Sequence, residues 1–231
     1  MYQYNHPPNL RPQYSQARPQ SAAYANHGSR HGHHTPQPSG GDPLLFQYFS
    51  AVDQDRSGSI SVTELQAALI NGNWTRFDLD TVKMLMGIFD TDNSGTIDFK
   101  GGQASVILSL VLYSNASEFS GLWKYISDWQ NVFVHFDRDG SGSIEGSELQ
   151  QALKSFGYNL SPTLLTLVER KYASTLATGY GPPPGITFDR FVRACVVVKT
   201  LTESFQRVDT DRDGWVQISY EQFMSMVLTA P

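Results

Sequence analysis

A twelve-residue acidic pattern recurs along this chain and constrains its fold more than any other feature. In its fullest spelling it runs Asp53-Gln54-Asp55-Arg56-Ser57-Gly58-Ser59-Ile60-Ser61-Val62-Thr63-Glu64. Oxygen-bearing side chains stand at positions 1, 3, 5, 9 and 12, a glycine at 6 and a β-branched apolar residue at 8. Calcium is a hard cation that takes about 6–8 oxygens at roughly 2.3–2.6 Å, and a loop of this length supplies them from positions 1, 3, 5, 7, 9 and 12. Those positions are Asp53, Asp55, Ser57, the Ser59 carbonyl, Ser61 through a water, and Glu64. Gly58 permits the left-handed turn at the centre of the loop.

The pattern returns further on. Asp137, Asp139, Ser141, Gly142, Ser143, Ile144, Glu145 and Glu148 complete it with four carboxylates. Another copy begins with Asp90, Asp92, Ser94, Gly95, Thr96, Ile97 and Asp98 but has Gly101 at position 12. The last carries Asp209, Asp211, Asp213, Gly214, Trp215, Val216 and Gln217, with Tyr220 at position 12. A solvated acidic turn is the ordinary reading of one such cluster. A chance match at five fixed places is expected about once in 10⁵–10⁶ windows, so the copies at Asp53 and Asp137 are expected to bind calcium. The last, through Asp209, Asp211, Asp213 and the Trp215 carbonyl, is either a weak site for Ca²⁺ or Mg²⁺ or a structural hairpin. An eroded copy ends at Ile186, Phe188 and Phe191. It has no acid near its expected start at Ala173, Arg190 falls at its position 12, and no metal is expected there.

Between the loops, apolar residues recur at helical spacing. Leu122, Ile126, Trp129, Phe133 and Phe136 form one stripe, and Phe191, Cys195, Val198, Leu201, Phe205 and Val208 a second. Ser161-Pro162 reads as an N-cap followed by a helix-opening proline. No stretch sustains strand alternation, so the predicted fold class is all-α. The spacing of the loops alternates long and short once two excess stretches are discounted: the insertion Gly101–Ser117 and the Gly/Pro run Gly179–Gly185. A short step makes one helix the exit of one loop and the entrance of the next.

The insertion falls on position 12 of the second loop and contains the apolar run Val106–Leu112. Two readings stand. It is a translated intron, whose removal joins Lys100 to Glu118 and completes the ligand set, or it is a true insertion that silences the loop.

Residues 1–41 hold no large aliphatic side chain beyond Met1 and Leu10, and no Phe or Trp. Such a segment cannot offset its ordering entropy by burial, so it is expected to be a disordered tail, leaving 42–231 as the folded domain. His31, His33 and His34 in this tail are either a weak Zn²⁺ or Cu²⁺ tract or plain solvated side chains. The net charge of −5 gives no basic face for nucleic acid. A single cysteine, Cys195, forms no intrachain disulfide and suits a reducing compartment. The N-terminus lacks the apolar core of a signal peptide, and no apolar run approaches the roughly 20 residues of a membrane span. A cytoplasmic protein is expected. No nucleophile–base pair is apparent, and an enzyme is not.

Three motifs carry a wider resemblance: Asn71-Gly72-Asn73-Trp74-Thr75, the helix Leu122-Trp123-Lys124-Tyr125-Ile126-Ser127-Asp128-Trp129-Gln130-Asn131-Val132-Phe133, and Asp213-Gly214-Trp215-Val216-Gln217-Ile218-Ser219-Tyr220-Glu221-Gln222. On these the chain resembles the penta-EF-hand family over residues 44–228, in the branch of the apoptosis-linked-gene-two protein and peflin. The resemblance implies five helix-loop-helix hands and a calcium sensor or adaptor. Such a protein uncovers an apolar groove for Pro-rich or aromatic peptide segments and associates peripherally with membranes when calcium rises. Residues matching the groove are Trp74, Phe119, Trp123 and Tyr220, with core packing the competing reading for Trp123. Hands pair through position 8, and five is odd. The fifth hand, with Val216, Phe223, Met224 and Val227 to cover, therefore implies a homodimer or heterodimer. A passive calcium buffer or a regulatory subunit is the alternative.

Overall fold

The computed structural model describes residues 43–99, 117–173 and 185–230. The tail, the insertion up to residue 116 and most of the Gly/Pro run lie outside them. Among the described residues there are eight helices: α1 (Pro43–Val52), α2 (Val62–Ala68), α3 (Leu79–Phe89), α4 (Glu118–Phe136), α5 (Gly146–Ser155), α6 (Pro162–Tyr172), α7 (Phe188–Val208) and α8 (Tyr220–Leu228). Two short strands, β1 (Ser59–Ile60) and β2 (Ile97–Asp98), lie in the loops after α1 and α3.

Local chemistry sets the helix starts. Ser61, Ser117, Ser161 and Ser219 stand at N-caps, and each side chain accepts a backbone N–H from the first turn. Ser161-Pro162 opens α6 as its sequence predicts. The apolar stripe of α4 is the spine of the core. Phe119, Leu122, Tyr125, Trp129, Val132, Phe133 and Phe136 are all buried. Its rings meet α7 edge-on, with centroids 6.0 Å apart for Trp129–Phe191 and 5.5 Å for Phe133–Phe188. The α7 stripe is buried only through its first half. Phe191, Cys195 and Val198 are in the core, whereas Leu201 is exposed, so the helix leaves the core before it reaches the last loop. Both α4 and α7 serve as exit of one loop and entrance of the next, as the short steps predict.

Position 8 joins loops in pairs. Ile60 lies opposite Ile97 in an antiparallel ladder. Ile144 and Ile186 form a second bridge, exchanging N–H···O bonds of 2.8 and 2.9 Å. All four isoleucines are buried. Val216, the fifth counterpart, is half-buried and makes no bridge among the described residues, and no residue of α8 is fully buried. A buried polar knot ties the two pairs together. Asp189 accepts from the Asp78 N–H at 2.6 Å and from the Thr187 hydroxyl at 2.6 Å. Its own N–H donates to the Asn71 side chain at 3.1 Å. Arg190 reaches Asp78 at 3.2 Å, and Arg193 reaches Asp80 at 3.0 Å.

Candidate metal centres

Four loops share one backbone design. Position 4 lies in the left-handed region in each, at Arg56, Asn93, Gly140 and Arg212, with φ between +57° and +68°. Position 6 is always glycine, Gly58, Gly95, Gly142 and Gly214, with φ between +77° and +86°. These two reversals curl the loop so that side chains from positions 1, 3 and 5 converge. In each loop three carboxylates offer oxygens within 4.8 Å of one another: Asp53, Asp55 and Glu64; Asp90, Asp92 and Glu118; Asp137, Asp139 and Glu148; Asp209, Asp211 and Asp213.

The first and third loops bring together the residues that the sequence singled out. The position 1 aspartate spans two N–H groups. Asp53 accepts from Ser57 at 3.0 Å and Gly58 at 2.9 Å, and Asp137 from Ser141 at 2.9 Å and Gly142 at 3.0 Å. Ser57 donates its hydroxyl to the Ser59 carbonyl at 2.9 Å, and Ser141 to the Ser143 carbonyl at 2.8 Å. Glu64 and Glu148 reach back from α2 and α5 to close the loops. The carboxylates of Asp55 and Asp92 are held below the usual range, chiefly by the Ser57 and Ser94 hydroxyls, and that of Asp139 chiefly by the Ser141 N–H. Glu64 is lowered mainly by the Ser61 N–H. All four are therefore ionised at neutral pH. Carboxylate, hydroxyl and carbonyl oxygens with no nitrogen or sulfur donor fit a hard divalent cation.

The remaining loops depart from expectation. In the second, Asp90, Asp92, Ser94 and Thr96 are assembled as in the first, with Ser94 donating its N–H to Asp90 at 2.9 Å. The insertion does not leave position 12 empty, as the silencing reading requires: Glu118, from the first turn of α4, stands in its place. In the fifth, Asp209 and Asp213 accept from Gly214 at 3.1 Å and Trp215 at 2.7 Å. The other oxygen of buried Asp209 has no hydrogen-bond partner, an orphaned acceptor in a residue clustered with Asp211 and Asp213 that a cation would satisfy. Tyr220 is 78% exposed and does not close the loop. In the fourth, the Arg190 guanidinium donates to the Ala173 carbonyl at 2.7 Å. Position 12 there bonds back to position 1 with a cationic group, and no acidic cluster of the described residues lies in that hand.

The four groove residues do not form one exposed surface. Phe119 is a core residue, 1% exposed, wedged against Phe49 and Phe99. Its spacing along α4 puts it on the buried stripe, which corrects its assignment to a groove. Trp123 is partly exposed and stacks on Tyr48 with ring centroids 4.7 Å apart. Trp74 is 88% exposed, with a left-handed φ of +65°, unusual for a bulky side chain.

Oxygen-lined loops between packed helices, joined in pairs by β-bridges, define an EF-hand calcium-binding protein. The model of an EF-hand domain pair matches residues 44–101 and 126–228. Peflin of Xenopus laevis is 41% identical over 192 residues, covering 83% of this chain and 60% of that protein. Human peflin is 40% identical over 80% of this chain and 57% of its own length. The chain thus spans about 60% of the length of the peflins it matches. A sorcin of Schistosoma japonicum is 41% identical, with 78% of this chain and 92% of the sorcin covered. The solved structure of a homolog of programmed cell death 6 protein from Leishmania major Friedlin aligns with a TM-score of 0.60 at 27% identity, over 81% of this chain and 94% of that one. The chain belongs to the penta-EF-hand family, close to peflin.

Proposed function

We propose that the protein is a calcium sensor and adaptor. Calcium is held in the first hand by Asp53, Asp55, Ser57, the Ser59 carbonyl and Glu64, and in the third by Asp137, Asp139, Ser141, the Ser143 carbonyl and Glu148. Asp209, Asp211, Asp213 and the Trp215 carbonyl offer a weaker, open site for Ca²⁺ or Mg²⁺. The bound ion supplies the positive charge that lets several carboxylates stay packed in one loop. Glu64 and Glu148 are carried by the helices that leave their loops, so the position of each side chain and the tilt of its helix change together.

One observation carries the sensor reading over a passive buffer. The segment that holds Trp74 lies against the third loop: a Cβ on Gly142 would sit 4.0 Å from the Gly72 backbone. An exposed aromatic in a strained backbone conformation is thereby mounted on a metal loop, where a shift of that loop moves it. Trp74, Trp123 and Tyr220 are exposed and open to a Pro-rich or aromatic peptide of a partner. Helix α8, which has no fully buried residue and leaves Phe223 and Val227 exposed, suits pairing with a second copy or a relative through the fifth hand. Burial pushes the Cys195 thiol up, well above the neutral range, so it offers no thiolate nucleophile, in keeping with a regulatory protein and not an enzyme. Cytoplasmic location, with recruitment to membranes when calcium rises, completes the reading.

Hydrogen exchange with and without calcium tests it. Faster or slower exchange at residues 70–76 on adding calcium, together with calcium-dependent binding of an aromatic Pro-rich peptide that Trp74→Ala weakens, is the expected result. Unchanged exchange there and no peptide binding would leave the buffer reading, because buffer hands barely open.

A further inference from the structure

One residue, Asp189, holds both ends of one hairpin. Its N–H donates to the Asn71 side chain at 3.1 Å, and its carboxylate accepts the Asp78 N–H at 2.6 Å. Between Asn71 and Asp78 the chain turns back on itself. The Asn71 N–H donates to the Thr75 carbonyl at 2.8 Å and the Trp74 N–H to the Asn71 carbonyl at 2.9 Å, and Ile70 bridges Arg76. The Asn71 amide also donates to the Thr75 hydroxyl at 3.1 Å, so the side chain that meets Asp189 shapes the turn as well. Exposed Trp74 projects from that turn, whereas Asn71 and Asp189 are buried. A buried hydrogen bond is costly to leave unmade, so the hairpin follows Asp189.

By chain order the hairpin follows α2 and belongs to the first hand. Its first-hand ties run to α2 and its C-cap: the Gln66 amide donates to the Phe77 carbonyl at 3.1 Å, and the Phe77 N–H to the Leu69 carbonyl at 3.2 Å. Its other contacts belong to the first turn of α7, the exit helix of the fourth hand. Phe77 meets Phe188 edge-on at 5.7 Å, the Thr81 hydroxyl donates to the Asp189 carbonyl at 3.4 Å, and Asp78 pairs with Arg190. That turn is locked in its turn to the third loop. Ile186 bridges Ile144, and a Cβ on Gly185 would press on the Ser143 side chain and lie 3.3 Å from the Ile144 carbonyl. Contact thus runs without a gap from the third loop through the fourth hand and Asp189 to the hairpin. The fourth hand closes on the Arg190 guanidinium and not on an acidic cluster of the described residues. It has no ion of its own to answer to, and it moves as the third hand moves it.

We infer that the fourth hand is a relay, which through Asp189 and Asn71 carries calcium occupancy of the third hand to the Trp74 hairpin. The inference rests on the sensor reading and adds which hand is read, the third and not the first, and which pair of residues transmits it. Asn71 and Asp189 are positioning residues, outside the donor sets of the metal loops. By linkage, a partner peptide held at Trp74 tightens calcium at the third hand and leaves the first hand as it was.

The test uses the full chain labelled with 5-fluorotryptophan and followed by fluorine NMR during a calcium titration. The four tryptophans give separate signals, Trp74 assigned by Trp74→Phe and buried Trp129 serving as the control for a folded core. The Trp74 signal should shift with calcium in the wild-type chain and in Glu64→Gln. In Glu148→Gln the midpoint of that shift should rise about tenfold or more, as the third hand loses its closing carboxylate. Asn71→Ala should keep the calcium count by native mass spectrometry and lose more than half of the Trp74 shift. Loss of the shift in Glu64→Gln, an unmoved midpoint in Glu148→Gln, or a full shift in folded Asn71→Ala overturns the relay and leaves the sensor reading standing. No Trp74 shift in the wild-type chain with calcium bound removes the sensor reading and the relay together. If Asn71→Ala does not fold, the comparison of Glu64→Gln with Glu148→Gln decides alone.

Discussion

The third and fourth hands are joined back to back through Ile144 and Ile186, yet they close in opposite ways. The third closes on a carboxylate, Glu148, which accepts two backbone N–H groups over a cluster of acids. The fourth closes on a guanidinium, Arg190, which donates to the Ala173 carbonyl and pairs with Asp78. One hand gathers negative charge that calls for a cation from solution, and its partner carries a cation of its own. The difference shows that the hairpin and the ion site are separable: the bridge at position 8 survives whatever stands at position 12.

The most damaging way to break the comparison is to remove what the two hands share. Ile144→Ala deletes fully buried volume and should cost about 2–5 kcal/mol, read as a lower urea midpoint for the calcium-free protein. A loss under 1 kcal/mol would show that the hands do not depend on their bridge. Next, Glu148→Gln should weaken calcium at the third hand by more than the roughly 10–100-fold typical of losing an outer-shell partner, leaving the first hand unchanged in calorimetry. Arg190→Gln should leave the calcium count untouched and lower stability by about 1–3 kcal/mol, as the Ala173 carbonyl and Asp78 lose a charged partner. A change in calcium stoichiometry in that variant would refute the separation. The smallest effect is expected at Glu145. The third loop has four carboxylates against three in the first and should bind more tightly, because ligand charge raises affinity. Glu145→Gln should bring the two within a few-fold of each other, and an unchanged gap would locate the difference elsewhere.

What the sequence discloses here is the chemistry that acts over a few residues. The acidic loops, the Ser161-Pro162 cap and the alternation that makes α4 and α7 serve two hands each were all legible, because spacing along the chain sets them. The Ile60–Ile97 pairing was legible too, since position 8 recurs. Glu118 was legible only on the reading that removes the insertion, because counting along the chain assumes that loop positions are consecutive, whereas packing of Phe99 on Phe119 restores the register in space. Arg190 could be placed at position 12 and Ala173 at position 1, but not the bond between them. The Asn71–Asp78–Asp189 knot joins segments more than 100 residues apart, beyond the reach of any local pattern. Phe119 was misassigned for the converse reason: one aromatic identity fits a groove or a core, and only its neighbours decide.

Helix α4 has 19 residues and is therefore a rod about 28 Å long. Glu118 stands in its first turn and Asp137 caps its far end. The acid at the end of the second loop and the acid that opens the third are thus fixed to a single rigid lever. A tilt that seats one end repositions the other. Under the proposed calcium binding, the second and third hands share one mechanical coordinate read at two places, and by linkage whatever each does to the other's affinity is returned in equal measure.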